Sequence, residues 1–411
     1  MGRNPRRAST RHPGRTIRRG TAGWLAVLTF AAGAQAEELS DFDSLVEIHG
    51  FVSQGAIKSS DNNYLGDSER GSLEFTEVGL NFTKSLGTDL RVGLQVFARD
   101  IGPLGGYQPQ LDWYYLDYRF ADWLGVRAGR TKLPFGLYNE NSDVDAARVP
   151  VLLPQSLYPL QNREVLLAQT GAELYGLLQL GGLGELEYRL YGGTIFLDAW
   201  NSSPQLRSFD VPYLVGGRLL WLPIDGLSIG GSIQKLRFEF DYTASPAETE
   251  YYAGRGELPP DFNGQIQARI PAWLWMGSIE YQANDWQLAF EYGRTYLEGS
   301  TNLLTPTVYS KSEGYYAMAS YRVRPWFSPG LYYSVQRSDF ETRTGISEFQ
   351  HDVAISTRFD ITPHWLFKLE AHAMYGAAAL DPALNDVPDV KGLNGLEPYW
   401  ALFLAKTTAY F

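Results

Sequence analysis

The chain has 411 residues, a formal net charge of −11 and no cysteine. The acidic balance argues against a nucleic-acid partner, because phosphates are bound by a surplus of lysine and arginine. The lack of cysteine excludes disulfides, thiolate metal sites and cysteine nucleophiles.

Residues 1–36 have the pattern of a secretory signal peptide. Seven arginines precede a short apolar stretch, residues 24–34, and Ala34-Gln35-Ala36 fits a small-residue cleavage site. Removing this segment, which carries no acidic residue, takes the formal charge from −11 to −18. We therefore expect an exported mature protein, residues 37–411, in which we find no linker and no second architecture.

The mature chain contains about 16 segments in which apolar and polar residues alternate with a period of two, as in β-strands. In residues 89–100, Leu90, Val92 and Leu94 belong to the apolar phase, and Arg91 and Gln95 belong to the other. Tight turns follow every second segment, at 85–88, 120–123, 181–184, 223–226, 282–285, 325–327 and 362–364. The connections between these hairpins are longer, and the two chain ends complete the short side.

Short turns on one side and long loops on the other are typical of bacterial outer-membrane barrels. Tryptophans beside the short turns support this interpretation, because their rings favour the headgroup level of a membrane: Trp123, Trp221, Trp286, Trp326 and Trp365. The sequence therefore predicts an all-β, transmembrane antiparallel barrel of about 16 strands. Its partners would be the lipid bilayer, lipopolysaccharide and the outer-membrane assembly machinery, which reads a terminal aromatic residue such as Phe411.

The longest connection, residues 135–168, joins the fifth and sixth segments. It is apolar at 149–154 and 165–167, so it is poorly suited to extend into water. We expect it to fold into the barrel lumen and to act as a constriction loop.

Passage through a pore is controlled by its diameter and by charge at its narrowest point. The alternating pattern assigns five wall arginines to the lumen: Arg99, Arg119, Arg127, Arg189 and Arg218. The candidate loop contributes Glu140, Asp143, Asp145, Arg148 and Arg163. Two interpretations stay open: these charges create a transverse field that leans toward anions, or they pair directly and stiffen the wall.

Two other classes of function also stay open. The connection 241–269 is long and carries Tyr251 and Tyr252, as a surface-binding, adhesin-like barrel would need. An outer-membrane enzyme would use a histidine such as His372 near Glu370, but spacing alone does not define a catalytic triad. The plainer interpretation of His372 is a polar lumen residue. No spacing of His, Asp and Glu indicates a metal site, and we expect no cofactor.

The residues Lys132-Leu133-Pro134-Phe135-Gly136 resemble the Lys-x-Pro-Phe-Gly motif of the porin superfamily, which includes the phosphate-selective porin family. Residues 47–55 resemble the first strand of a porin-like outer-membrane family. The resemblance implies a homotrimer of 16-stranded barrels in which the loop after the motif folds inward. We expect a porin for passive diffusion of small hydrophilic solutes or ions, without enzymatic activity.

Overall fold

The computed structural model describes residues 46–196, 206–304, 307–340, 345–385 and 396–411. The predicted signal peptide, residues 1–36, lies outside the described residues. Sixteen antiparallel strands close into a barrel in which each strand pairs with its neighbours in sequence and β1 pairs with β16. They are β1 (Glu47–Ser59), β2 (Phe75–Ser85), β3 (Leu90–Ile101), β4 (Gln110–Ala121), β5 (Leu124–Lys132), β6 (Ala168–Gln179), β7 (Glu185–Phe196), β8 (Leu206–Ile224), β9 (Leu227–Thr243), β10 (Gln265–Ala283), β11 (Trp286–Thr301), β12 (Thr307–Tyr321), β13 (Phe327–Arg337), β14 (Phe349–Thr362), β15 (Trp365–Gly376) and β16 (Tyr399–Tyr410). The predicted fold class and strand number are confirmed.

Helices in the described ranges are short. They are α1 (Arg163–Leu166) and α2 (Pro246–Gly254), with 3-10 turns at Asn139–Asn141, Asp145–Ala147, Leu160–Asn162, Gly181–Leu183, Ile346–Glu348 and Pro382–Asn385. A capping box formed by Ser245 and Glu248 starts α2, and Pro246 occupies its first turn. In the same ranges, no helix is long and apolar enough to cross a membrane.

The short turns follow local backbone rules. Between β10 and β11 the two turn residues, Asn284 and Asp285, have φ angles of 53° and 66°. Positive φ at both positions is the signature of a type I′ turn, whose twist matches that of the flanking strands. Asn and Asp tolerate this conformation better than other non-glycine residues, so the sequence itself specifies the hairpin.

The two faces of the barrel wall are the reverse of those in a soluble sheet. Glu77, Glu291 and Lys406 lie on the inner face and are all at most 6% exposed. On the outer face, Ile355 is 61% exposed and Phe403 is 53% exposed. Closure of the ring leaves no strand edge unpaired, and an apolar outer face is what membrane-spanning barrels present to lipid.

Aromatic rings mark both ends of this apolar face. The five tryptophans beside the short turns are between 39% and 57% exposed. At the other end of β15, the ring of Tyr375 stacks on Tyr399 with centroids 4.5 Å apart. Trp365 and Tyr375 are ten residues apart, which is about 33 Å along the strand and about 25 Å along the barrel axis at a tilt of roughly 40°. This span equals the apolar band of a membrane barrel, about 25 Å.

The hydrophobic core lies between the barrel wall and the connection from β5 to β6, residues 133–167, called here the β5–β6 loop. Val151 and Leu152 of this loop pack with Ile57 and Leu402 of the wall. Elsewhere, Leu137 and Tyr158 of the loop pack with Tyr316 and Tyr332. The loop begins two residues earlier than predicted and ends one residue earlier, because Lys132 pairs with Ala168 and closes the strand pair there.

Candidate functional site

The β5–β6 loop contacts wall residues on widely separated strands. The amide of Gly136 donates to Ser232 on β9 at 3.0 Å, and the amide of Val151 donates to Glu370 on β15 at 2.7 Å. The Ser334 hydroxyl on β13 donates to the Ser156 hydroxyl of the loop at 2.8 Å. In a ring of sixteen strands, β13 lies opposite β5. The loop therefore reaches from its own strand to the far side of the wall.

One cluster joins the loop to β7 and β8. The Glu140 carboxylate lies 3.0 Å from Arg189 and 3.3 Å from Arg218. Arg218 also pairs with Glu187 at 2.7 Å, and Arg189 pairs with Glu173. Burial alone would raise the pKa of the Glu140 carboxyl, but the arginine charges outweigh burial and lower the pKa to about 2. The carboxylate is thus ionised and held by two guanidinium groups.

Arg127 on β5 continues this cluster along the wall. Its guanidinium lies 3.1 Å from Asp117 on β4 and 3.5 Å from Glu173 on β6. The same group stands over two aromatic rings, 4.9 Å from the centroid of Tyr115 and 5.2 Å from that of Tyr175. Cation–π contacts and carboxylates together fix the orientation of this side chain.

A second cluster joins the loop to β15 and β16. The Asp145 carboxylate lies 2.8 Å from Lys406, 3.3 Å from Arg148 and 3.8 Å from Lys368, and it accepts from the Thr408 hydroxyl at 2.7 Å. Burial alone would raise the pKa of Asp145, but the cations outweigh it and hold the pKa well below its usual range. Arg148 also donates to the backbone carbonyls of the loop itself, so it stabilises the loop conformation.

A third cluster joins the loop to β3 and β4. Asp143 pairs with Lys132 at 2.6 Å and accepts from Gln95 at 2.8 Å. The charge of Lys132 and these hydrogen bonds outweigh burial and lower the pKa of Asp143 to about 2. Arg163 makes a bidentate contact with Asp112, with both distances at 2.9 Å.

Two of the predicted wall arginines have different surroundings. Arg99 is 4% exposed and donates to the carbonyl of Leu160 in the loop at 3.2 Å. Arg119 is not brought to the other predicted residues. It pairs instead with Asp122 in the adjacent short turn at 2.6 Å, and the two side chains are 54% and 85% exposed. Water screens such a pair, so it contributes little to stability.

Sequence reasoning left several loop-contacting carboxylates out of the predicted site. Glu370 accepts the amides of Val151 and Leu152, at 2.7 Å and 2.9 Å. Glu280 accepts from the hydroxyl of Tyr138 at 2.7 Å, and Asp112 holds Arg163 as described. The alternation on β15 places Glu370 on the inner face but does not indicate its contact with the loop. Asp112 was hidden because the β3–β4 register shifts between Gln95 and Val96.

The candidate enzymatic residue, His372, lies in a buried polar network. Its ring nitrogens are 2.9 Å from Asp352 and 3.0 Å from Glu370, and Tyr332 donates to Asp352 at 3.0 Å. The Ser356 hydroxyl donates to Glu370 at 2.6 Å rather than to the imidazole. A hydroxyl nucleophile requires the imidazole as its base, so this arrangement differs from a triad. Across the described part of the chain, no group of three or more His, Asp or Glu residues is arranged to hold a metal ion.

Comparison with known proteins identifies the fold. No family model matches the chain, and no curated protein sequence matches it. Outer-membrane expressed OmpT of Vibrio cholerae has a similar structure, with a TM-score of 0.59, 10% identity and coverage of 91% of this chain and 100% of that chain. An anion-selective porin from Comamonas acidovorans gives a TM-score of 0.55 at 12% identity, covering 89% of this chain and 99% of that chain.

A third similar structure is OmpF of Salmonella typhi, in a complex with daunomycin. Its TM-score is 0.51 at 14% identity, and the match covers 89% of this chain and 97% of that chain. At such identities the likeness concerns the fold, which agrees with the closed sixteen-stranded ring and its apolar outer face. The chain therefore has the fold of these structures, a closed antiparallel β-barrel.

Proposed function

We propose that this protein is an outer-membrane porin that lets small hydrophilic solutes diffuse passively across the membrane. The observation that carries the proposal is the reversed polarity of the wall, in which charged residues such as Glu77 and Lys406 face inward while apolar residues face outward. A barrel that only anchored a surface domain would have no need for charges along its whole interior. The solute gradient supplies the driving force, and the wall supplies a polar path.

The β5–β6 loop is the proposed constriction, and the site residues are Arg127, Arg189, Arg218 and the loop charges that meet them. Most of these groups are paired, so the field across the lumen is weaker than unpaired charges would give. Around Arg127 the guanidinium is 21% exposed, whereas its partners Asp117 and Glu173 are 11% and 0% exposed. This difference supports a slight preference for anions. Glu140 opposes this preference for anions, because its side chain is 24% exposed and the arginines that pair with it are less exposed.

The test is conductance in a planar bilayer under a KCl gradient, with the folded protein purified in detergent. Stepwise conductance supports the channel, and a small reversal potential of anionic sign supports the preference. Arg127→Gln is expected to move the reversal potential toward cations. Arg119→Gln is the matched control, because its charge already pairs with Asp122 away from the cluster. Silence over many insertions, in the wild type and in a variant lacking residues 142–158, contradicts the channel.

We also propose that the protein carries out no covalent chemistry. The Ser356 hydroxyl supports this, because it donates to Glu370 and not to His372. It also includes a homotrimer, since one structure of Vibrio cholerae OmpT with a TM-score of 0.53 is described as a trimer form. Crosslinking in native membranes tests the trimer, and mass measurement of the mature chain tests cleavage after Ala36. We also propose that the protein contacts lipopolysaccharide and the outer-membrane assembly machinery. Co-purification from outer membranes tests both contacts.

A further inference from the structure

The inner face of β13 to β16 is buried over the part that the β5–β6 loop covers. Tyr332, Ala354, Lys368 and Leu402, one from each strand, are all 0% exposed. Residues that face outward on the same strands are exposed. Leu331 on β13, for example, is 50% exposed. A part of the wall that faced a water-filled lumen directly would be exposed, so the loop shields this part from water. The segment of the β5–β6 loop that covers this wall, residues 145–157, is called here the plug segment.

Polar contacts fix the first half of the plug segment to β14 and β15. The Glu370 carboxylate accepts two consecutive backbone amides, those of Val151 and Leu152. Lys368 donates to the carbonyl of Pro150 at 2.9 Å, and Arg358 donates to the carbonyl of Ala146 at 2.5 Å. Hydrogen bonds to ionised groups are stronger than those between neutral groups. Here they replace the hydrogen bonds to water that the loop backbone loses when it is buried.

Shape complementarity fixes the second half to β11 and β12. Gly293 and Gly314 face each other across these two strands. A Cβ atom added at either glycine would lie 3.0 Å from the Leu157 side chain. This distance is shorter than a normal carbon contact, so the absence of side chains at both positions admits Leu157. The wall is thus shaped to receive the plug segment.

A second buried carboxylate fixes the flanks of the plug segment. Glu291 on β11 is 0% exposed and accepts from the amide of Leu137 at 3.0 Å, from Ser278 at 2.5 Å, from Tyr316 at 2.7 Å and from Tyr158. One wall residue therefore holds Leu137 and Tyr158, which lie on either side of the plug segment. Together with Glu370, it ties the loop across the width of the barrel.

We propose that the β5–β6 loop is a closed plug rather than a fixed narrowing, and that solutes pass only when the plug segment leaves the wall of β13 to β16. The inference rests on the proposed channel function and adds its regulation. When the plug opens, the side chains of Glu370, Lys368 and Arg358 must replace their hydrogen bonds to the loop backbone with hydrogen bonds to water or solute. Polar solutes that carry both hydrogen-bond donors and acceptors offer these side chains the same contacts as the loop does.

A disulfide lock tests the plug, because the chain has no cysteine to interfere. Ser156 of the plug segment and Ser334 of β13 have hydroxyl oxygens 2.8 Å apart, so Ser156→Cys with Ser334→Cys brings two sulfurs within reach of a bond. The matched control is Ser59→Cys with Ser68→Cys, another buried pair with oxygens 2.8 Å apart that joins β1 to the β1–β2 connection. Mass spectrometry of alkylated protein confirms each disulfide, and heat-modifiable electrophoretic mobility confirms folding.

We expect loss of conductance steps in the oxidised Ser156–Ser334 variant, recovery after reduction, and no such change in the control pair. Equal conductance before and after reduction of the confirmed lock overturns the plug while leaving the channel standing. Gly314→Ala supplies an independent arm, since its methyl group would lie 2.3 Å from the backbone oxygen of Ser156, displaces the plug segment and should raise the frequency of openings. Unchanged openings in that variant also count against the plug. If the wild type and the variant lacking residues 142–158 are both silent, the channel itself fails instead.

Discussion

Glu140 of the β5–β6 loop and Arg189 of β7 form an ion pair at 3.0 Å, although 49 residues separate them in the chain. The same carboxylate reaches Arg218 on β8. The pairing interpretation of the lumen charges therefore applies to this part of the wall. An electric field across the lumen therefore arises only from charges that these ion pairs leave unbalanced.

Glu140→Gln should shift the ion preference toward anions. The substitution keeps the size of the side chain and removes the charge that offsets Arg189 and Arg218. The measurement is the reversal potential under a KCl gradient, with Glu250→Gln on the exposed face of α2 as the control. A potential unchanged from the wild type would show that solutes do not pass this cluster.

The ion preference should be constant from neutral pH to about 4.5 and should change only as pH falls toward 2. The pKa of Glu140 is lowered from 4.5 to about 2, and that of Asp143 also falls to about 2. A carboxyl with a depressed pKa contributes its full stabilisation above its unfolded pKa and loses it as pH falls through the folded value. Protonation then leaves the arginines unopposed and favours anions. A transition in reversal potential centred between pH 4 and 5 would contradict the pairing.

Arg163→Ala should loosen the returning half of the β5–β6 loop. The variant leaves Asp112, which is 3% exposed, as a buried charge without its bidentate partner. Breaking a buried pair in this way costs roughly 3–5 kcal/mol. Hydrogen exchange of amides in residues 160–167 measures the local opening free energy. Arg70→Ala, which removes an exposed pair with Asp67, is the control and should leave the exchange unchanged. Equal protection of these amides against exchange in the two variants would contradict the prediction, because Asp112 would then be hydrated rather than buried.

Ile355→Arg should destabilise the folded barrel in a bilayer. The side chain lies midway along β14 on the outer face and is 61% exposed to the surroundings of the barrel. An arginine near the bilayer midplane costs about 2–4 kcal/mol, whereas in water it would cost almost nothing. Unfolding by urea from liposomes gives the free energy. Leu73→Arg, at a position 71% exposed in the β1–β2 connection, is the matched control. Equal stability of the two variants would argue against a lipid-facing β14.

The local alternation of residues predicted much of the wall correctly. In β15 it placed Lys368, Glu370 and His372 on one face, and all three are buried on the inner face. It failed where the backbone departs from a period of two, as at Asp112 beside the β3–β4 register shift. It also gave no position for Arg119 along the barrel axis, so the pair with Asp122 was missed.

The contacts of the β5–β6 loop were beyond the reach of the sequence. Glu370 meets Val151 across a separation of 219 residues, and Tyr158 meets Glu291 across 133. Nothing in the composition of the loop indicates which strand each amide will reach. That path depends on closure of the ring, which places β13 opposite β5, where the loop starts.

By itself, the sequence determined the strands, the alternation of short and long connections, and which side chains face out of the barrel. These properties are local, because each follows from neighbours two to four residues away and from the turn residues between strands. Only the tertiary structure decided how the charges pair and how the plug segment covers the wall. Those contacts join residues far apart in the chain, and their geometry exists only after the barrel has closed.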